Sequence, residues 1–280
     1  MNIVGLGAAG CNIADEFAQY PQYKIYKLDV GLSKEKGNFA LPQVGNIEEY
    51  ETIPLNFRSF FRYLRKDSEV LFIVCGAGRV SGVSLRILEK LQKCKVSILY
   101  VMPDRTLLNN QSRLHERVVR NVLQQYARSG VFERLYMIDN KEVEKILVNV
   151  PIIGYYKRLN ELIAGTIHMT NVFLNTKTVY NTPSTSLPTA RVSTFGLVDI
   201  EKNEEKLFFP LDTINERCYI YAINKEQLET DGNLFTTLRE RSASMVGDET
   251  IVSVRIHSTD YDNNFGYLIA NSSEIQEQEV

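Results

Sequence analysis

The chain has no excess of either charge: 32 Lys and Arg stand against 34 Asp and Glu in 280 residues, a formal net charge of −2. A global positive field that would hold it on DNA or an acidic membrane by charge alone is therefore excluded, although a local basic patch is not. Cysteine is scarce. The four thiols, Cys11, Cys75, Cys94 and Cys218, have neither metal-ligand nor disulfide-framework spacing, a reducing pattern that leads us to expect a cytoplasmic protein. No apolar run approaches the roughly 18 residues needed to cross a bilayer, and residues 2–15 lack a basic segment and cleavage site. The chain is thus expected to fold from its first residue without membrane insertion. Its three histidines, His115, His168 and His257, lie far apart and are read as structural, so no metal site is expected. What remains is an ordinary globular composition, 44% hydrophobic and 24% charged, long enough for one large domain or two smaller ones.

Along the chain, strand and helix alternate from the start. Residues 2–5 read as a strand, 6–10 as a glycine turn, 11–20 as a helix and 23–28 as a second strand. Residues 31–54 carry little periodicity and are read as a surface excursion; 56–66 reads as a basic, aromatic helix. The continuous apolar run 70–75 suits a central parallel strand buried on both faces. It enters a second glycine turn, 76–82, then a helix over 83–93, a strand over 96–102, a long helix from about 110 to 128 and a strand over 135–138. A short helix follows 141, and a long one begins near Pro151 with that proline in its first turn. The turn-rich stretch 180–188 marks a boundary, after which strands at 191–200, 218–224, 251–257 and 265–269 with a helix around 232–245 form a smaller α+β unit. These readings give an α/β fold: a three-layer parallel-sheet nucleotide-binding domain over 1–150, a central helix and loop over 151–187, a C-terminal α+β domain over 188–270 and a disordered acidic tail over 271–280.

Gly5-Leu6-Gly7-Ala8-Ala9-Gly10 fits G-x-G-x-x-G between a strand and a helix, the context that lets a phosphate meet unpaired helix N–H groups. Asp29 closes the second strand about twenty residues on, where a dinucleotide enzyme keeps an acid for ribose. An NAD-dependent Rossmann oxidoreductase is therefore one reading. A second turn of the same kind, Gly76-Ala77-Gly78-Arg79-Val80-Ser81-Gly82, argues instead for a nucleoside di- or triphosphate held from two sides. Here the sequence resembles the tubulin and FtsZ superfamily, whose first loop reads G-x-G-x-x-G-x-N, matched through Asn12, and whose signature loop reads G-G-G-T-G-[ST]-G. Gly76, Gly78, Ser81 and Gly82 fit the latter, while Arg79 and Val80 replace a threonine and a glycine. Val80 cannot adopt positive φ cheaply, so the turn must differ locally. Arg79 is read either as a fork for phosphate oxygens or as a solvated side chain.

The resemblance runs over roughly residues 1–180. Asn109 and Arg113 occupy the family's place for ribose and base contacts, and Tyr156 and Asn160 match the aromatic and polar pair at the start of its central helix, where i and i+4 share one face. It implies a guanine nucleotide, GTP or GDP, with Mg admitted beside it. The phosphates would lie at Gly5, Gly7, Ala8, Ala9, Gly10, Gly76, Ala77, Gly78, Arg79, Ser81 and Gly82, and the nucleoside toward Asn12, Asn109, Arg113, Tyr156 and Asn160. It also implies head-to-tail self-assembly into filaments. The family's catalytic loop N-x-D-x-x-D falls on residues 181–186, Asn-Thr-Pro-Ser-Thr-Ser, where both carboxylates are missing. Unless Asp199 or Glu201 substitutes, GTP hydrolysis is expected to be weak or lost, and no catalytic residue is assigned. The short, divergent chain is more similar to phage- or plasmid-type branches than to the cell-division protein. A third reading keeps the fold as a nucleotide-free scaffold. Arg58, Arg62, Arg65 and Lys66, interleaved with Phe57, Phe60, Phe61 and Tyr63, are read as the solvated side of a surface helix rather than a nucleic-acid surface. Cys11 is either a reactive thiol at a helix terminus or a small space-filling residue.

Overall fold

The computed structural model describes residues 1–147, 149–182, 187–244, 246–247 and 250–277. The chain forms two compact units, Met1–Ala164 and Gly165–Val280.

The first unit is built on β1 (Asn2–Leu6), α1 (Gly7–Glu16), β2 (Lys24–Val30), β3 (Asn38–Leu41), α2 (Glu49–Thr52), α3 (Phe57–Phe60), β4 (Glu69–Val74), α4 (Ser84–Lys90), β5 (Lys95–Met102), α5 (Asn110–Arg128), β6 (Arg134–Asp139), α6 (Asn140–Leu147) and the first half of α7 (Tyr155–Leu174). Its strands lie in the order β3-β2-β1-β4-β5-β6, and every pairing within that run is parallel. Buried strands of this kind need apolar residues on both faces. Val70, Leu71, Phe72, Ile73 and Val74 are each 3% exposed or less, as the unbroken apolar run predicts.

The stretch expected to wander over the surface contains β3 and α2. Its apolar residues are sparse, yet Leu41, Val44 and Tyr50 are buried, and Tyr50 Oη donates to Pro42 O at 2.8 Å. Three anchors thus fix a segment too polar to show periodicity. The helix expected over 56–66 stops at Phe60, capped at its start by the Asn56 side chain accepting from Ser59 N. Phe57, Phe61 and Leu64 still point inward. The long helix begins at Tyr155, so Pro151 lies ahead of it and not in its first turn; Gly154, at φ +81°, sets the reversal between them.

The second unit continues from α7 through β7 (Tyr180–Asn181), β8 (Val192–Asp199), β9 (Glu204–Leu207), β10 (Glu216–Asn224), α8 (Lys225–Thr230), α9 (Leu234–Ser244), β11 (Ile251–Thr259) and β12 (Phe265–Ser272). Within it β8-β12-β10-β11-β7 are neighbours and β9 pairs β8. The β10–β11 pairing is parallel and the others antiparallel. Tyr219, Tyr221, Ile223, Leu238, Ile256 and Leu268 form its core. The expected disordered tail is corrected at its start. β12 runs to Ser272, Asp212 N donates to Gln276 Oε1 at 2.7 Å, and Gln276 is fully buried; hydrogen bonds, not hydrophobicity, hold this segment, which is why its polarity misleads.

Two glycines test how tightly these layers are set. A Cβ on Gly10 would lie 2.6 Å from Ile73 O, whereas one on Gly165 meets nothing within 4 Å. Gly10→Ala is expected to lower stability by about 1–3 kcal/mol through overpacking, and Gly165→Ala to raise it by up to ~1 kcal/mol through helix propensity. Urea midpoints measured at constant m value check both.

Candidate functional site

Both glycine turns leave the carboxyl ends of neighbouring strands, with Leu6 opposite Val74 in the β1–β4 register. From β1 the chain moves through α1 to β2 and β3 on one side, then returns to β4 on the other. The strand order therefore reverses between β1 and β4, with one turn on each side of the reversal. Open α/β sheets bind their ligands outside the carboxyl ends of the strands at such a switch point.

The three glycines of the first turn do different work. A Cβ on Gly5 would collide with Gly10 O, and one on Gly10 with Ile73 O, so these two allow α1 to lie directly against β1 and β4. Gly7 adopts φ +70°, the left-handed conformation that turns strand into helix. α1 has no side-chain cap and no acidic residue in its first turn, leaving its leading N–H groups to an external acceptor. Ala8 and Asn12 are exposed and Ala9 is half-buried. Cys11 is buried behind the turn; burial, then the Asp29 charge, push its thiol up to about 12, which favours the space-filling role. Asp29 Oδ1 accepts from Val30 N at 2.8 Å.

The second turn winds into a 3-10 helix over Arg79–Val83, entered from Gly78 at φ −77°. No positive φ is needed at Val80, which resolves the expected local difference. Gly76 leaves room for the Tyr100 hydroxyl, and Gly82 for Ile47. Gly78 and Arg79 are exposed and Ala77 half-buried, and Arg79 Nη1 donates to Val44 O at 3.4 Å. The two turns meet at one point: a Cβ on Gly7 would lie 2.7 Å from Val80 Cγ2, so the valine side chain reaches across to the first turn.

Ser81 is 2% exposed, and its hydroxyl is committed inside its own turn. Its Oγ lies 2.6 Å from Gly78 O, 3.0 Å from Gly76 O and 2.8 Å from His115 Nε2. With one proton to give, Ser81 donates to a carbonyl and accepts from an Nε2–H tautomer of His115. Beneath the turn, Tyr100 Oη donates to Glu116 Oε1 at 2.8 Å and Arg120 Nε to the same oxygen at 3.0 Å; Arg105 Nε stands 3.7 Å from Oε2. Glu116 is fully buried and Arg120 3% exposed. His115 has the structural role expected of it, but its partner Ser81 and the Glu116 network were not foreseen from the sequence. The signal was present, because residues 116, 120, 123, 124 and 127 recur on the inward face of α5, and two of them are ionic.

Further along the same edge the structure assigns plainer duties. Asn109 is the N-cap of α5, accepting from Ser112 N at 2.8 Å, and Arg113 Nε donates to Arg105 O and Leu108 O, each at 3.0 Å. Both build the turn after β5. Lys141 Nζ reaches Asp104 Oδ1 at 2.9 Å, tying that turn to α6. Tyr155 Oη donates to Glu144 Oε2 at 2.8 Å, and burial with this bond lifts the phenol up to about 12. Tyr156 is 61% exposed and Asn160 9%. Burial, then the Glu161 charge of α7, raise the Glu16 carboxyl above its ordinary value. The catalytic-loop positions Pro183, Ser184, Thr185 and Ser186 lie outside the described residues. Thr182 before them bonds to Val254 through backbone and hydroxyl, and Leu187 N after them donates to Glu216 Oε1. Asp199 Oδ1 accepts from Glu201 N at 3.1 Å and Lys202 N at 3.0 Å, holding the β8–β9 turn. Among the described residues no group of His, Cys, Asp and Glu is arranged to hold a metal ion, and no helix is long and apolar enough to cross a membrane.

Solved structures match this arrangement over nearly the whole chain. A GTPγS-form protofilament of TubZ from Bacillus thuringiensis serovar israelensis superposes with a TM-score of 0.70 at 14% identity, covering 96% of this chain and 86% of that one. A dimer of M. jannaschii FtsZ gives 0.68 at 12%, covering 97% and 87%. The fold is tubulin/FtsZ-like. A four-stranded TubZ filament gives 0.69 at 15% identity over 96% of this chain and 85% of that one. No family model and no curated protein matches the sequence. The tubulin/FtsZ-like fold is thus kept where few side chains are, consistent with turns whose backbone does the shaping.

Two outcomes follow from the buried groups of this site. Glu116→Leu removes the buried carboxylate oxygen that Tyr100 and Arg120 both reach and is expected to cost about 3–5 kcal/mol, read in urea unfolding. His115 is held below its ordinary pKa by burial, opposed by Glu48 and Glu116; His168 and His257 are lowered chiefly by burial too. The unfolded chain therefore takes up these protons first as the pH falls below about 6.5, so stability declines on acidification through that window. His115→Gln, which keeps a donor for Ser81, should make this acid limb shallower in melting curves recorded from pH 7.5 to 5.

Proposed function

We propose that the chain binds a guanine nucleotide at the β1–β4 switch point and self-assembles head to tail into filaments in the cytoplasm, with weak or lost GTP hydrolysis. The observation that carries this reading is the pair of glycine turns flanking the reversal in strand order, one of them opening an uncapped helix. Backbone N–H groups around Gly7, Ala8, Ala9 and Gly10, and around Ala77, Gly78 and Arg79, would take the phosphates, as Ser81 spends its hydroxyl internally. Gly5 and Gly10 would act by letting α1 approach, and Gly76 and Gly82 by admitting Tyr100 and Ile47. Asn12, Tyr156 and Asn160 would face the purine, with Asn109 and Arg113 shaping the ribose side. Any Mg would come with the nucleotide's phosphates. The TubZ structures named for GTPγS-form and GDP-form protofilaments support both ligand class and polymer.

Weak turnover follows from sequence and geometry together. Residues 181–186 contain no carboxylate, and the nearest substitute, Asp199, is engaged in its own turn. One observation favours a nucleotide-free scaffold: Val80 Cγ2 reaches the space beside Gly7, where a phosphate would lie.

A thermal-shift series with GTP, GDP, ATP and NAD separates the readings. Guanine nucleotides are expected to raise the melting temperature most, Val80→Gly to increase that shift and Gly7→Ala to abolish it. A shift with NAD alone supports the oxidoreductase, and none with any nucleotide, in wild type or Val80→Gly, leaves the scaffold. Light scattering with GTP at several protein concentrations tests assembly, and phosphate release at the highest concentration tests turnover.

A further inference from the structure

The opposite, amino edge of the same sheet carries a feature that nucleotide binding does not use. β4 and β5 begin side by side, Glu69 facing Lys95 in register. The segments leading into them are also bonded, Asp67 N donating to Lys93 O at 2.8 Å and Lys95 N to Ser68 O at 3.0 Å. Neighbouring strands are about 4.8 Å apart, so this pairing gathers Arg65, Lys66, Lys93 and Lys95 on one small strip. Arg58 and Arg62 extend it back through α3. All six are exposed. Among the described residues none of them has a carboxylate within 4 Å, although other lysines of this unit, such as Lys27, Lys90, Lys141 and Lys145, are paired. Against six cations the strip holds two acids, Asp67 and Glu69, in a chain whose total charge is slightly negative.

The strip also carries an aromatic ring in an unusual place. The helix expected through 66 ends at Phe60, which takes Tyr63 off the inward face that buries Phe57, Phe61 and Leu64. Tyr63 is 66% exposed. The Arg62 guanidinium lies 4.6 Å from its ring centroid and donates to its hydroxyl at 2.7 Å, so ring and cation form one presented unit. Uncompensated cations with an exposed ring among them suit a polyanion that also offers flat, unstacked faces. An acidic peptide supplies the charge without the faces, and a duplex keeps its bases stacked.

We propose that this amino edge binds single-stranded nucleic acid, with the six cations on the phosphates and Tyr63 stacking on a base. This surface is independent of the glycine turns, and its test needs no nucleotide. Fluorescence anisotropy of a labelled 30-nucleotide oligo(dT) with the full chain, without GTP or Mg, should show binding at 50 mM salt that weakens steeply by 200 mM. Arg65→Glu with Lys93→Glu should weaken it at least about tenfold, because two phosphate contacts become repulsive. Tyr63→Ala should cost roughly tenfold, the scale of one base stack. Lys145→Glu with Lys157→Glu, an equal charge change on exposed residues of α6, which leaves the carboxyl end of β6, and of α7, joined to α6 by the Tyr155–Glu144 bond, should leave affinity within about twofold of the wild type after correction for net charge. All these side chains are exposed, and circular dichroism verifies folding. Absence of binding at 50 mM salt overturns the proposal, as does equal weakening by the control pair. Equal affinity for duplex with no effect of Tyr63→Ala overturns the single-strand assignment, and tighter binding of poly-glutamate or of anionic phosphatidylserine vesicles assigns the strip to another partner.

Discussion

The contact on which the first unit depends is the approach of α1 to the backbone of β1 and β4. Gly5 meets Gly10, and Gly10 meets Ile73 O, with no side chain between helix and sheet. Side chains normally hold a helix away from the sheet it covers; their absence at this crossing lets the amino end of α1 lie on the strand ends. Gly7 then makes the turn in a conformation other residues adopt only with strain. Two of the three motif glycines therefore serve packing, and packing is what positions the anion-ready end of the helix.

The second turn is fixed by a different device. Where the first relies on absent side chains, this one is braced by buried polar ones: Ser81 closes the turn on itself, His115 holds Ser81 from α5, and Tyr100, anchored by Glu116, fills the space beside Gly76. A buried carboxylate shared by a tyrosine and an arginine is costly unless every partner is in place. The arrangement therefore gives the turn little freedom to reshape around a ligand, and it explains how Arg79 and Val80 can replace smaller residues without unwinding it.

Much of this was legible in the residues. The parallel sheet followed from the apolar run at 70–75, α5 from its periodicity, and the two turns from glycine spacing next to strands. What stayed hidden has a physical reason in each case. Leu41, Val44 and Tyr50 are the buried apolar residues of β3, α2 and the stretch between them, too few to make a period, and the backbone ladder to β2 and the Arg86 bonds to Tyr50 O and Ile53 O that also hold the segment leave no mark in hydrophobic spacing. The end of β12 and the segment to Gln276 are held by side-chain hydrogen bonds among Asn215, Ser272, Ser273 and Gln276, which polarity disguises as a tail. The N-cap duty of Asn109 and the carbonyl bonds of Arg113 were not visible, because spacing does not separate such duties from ligand contact. His115 reads as structural, but its partner was hidden because Ser81 lies 34 residues away in sequence, and no spacing rule spans such a distance.

Backbone and side chain contribute unequally to the two halves of nucleotide chemistry. Binding a polyphosphate at a helix terminus draws on N–H groups that every residue except proline supplies, so it tolerates wide substitution provided a few glycines hold the geometry. Orienting water for attack on a phosphoryl group needs particular carboxylates at particular places, and backbone offers no replacement. At 12–15% identity the TubZ and FtsZ structures share this chain's fold. On the proposed reading, the glycines at 5, 7, 10, 76, 78 and 82 suit the first task, while the sequence at 181–186, with no Asp or Glu, supplies nothing for the second. Val80 bears directly on the proposed site: its branched side chain reaches Gly7, so a phosphate at the switch point would require that side chain to yield.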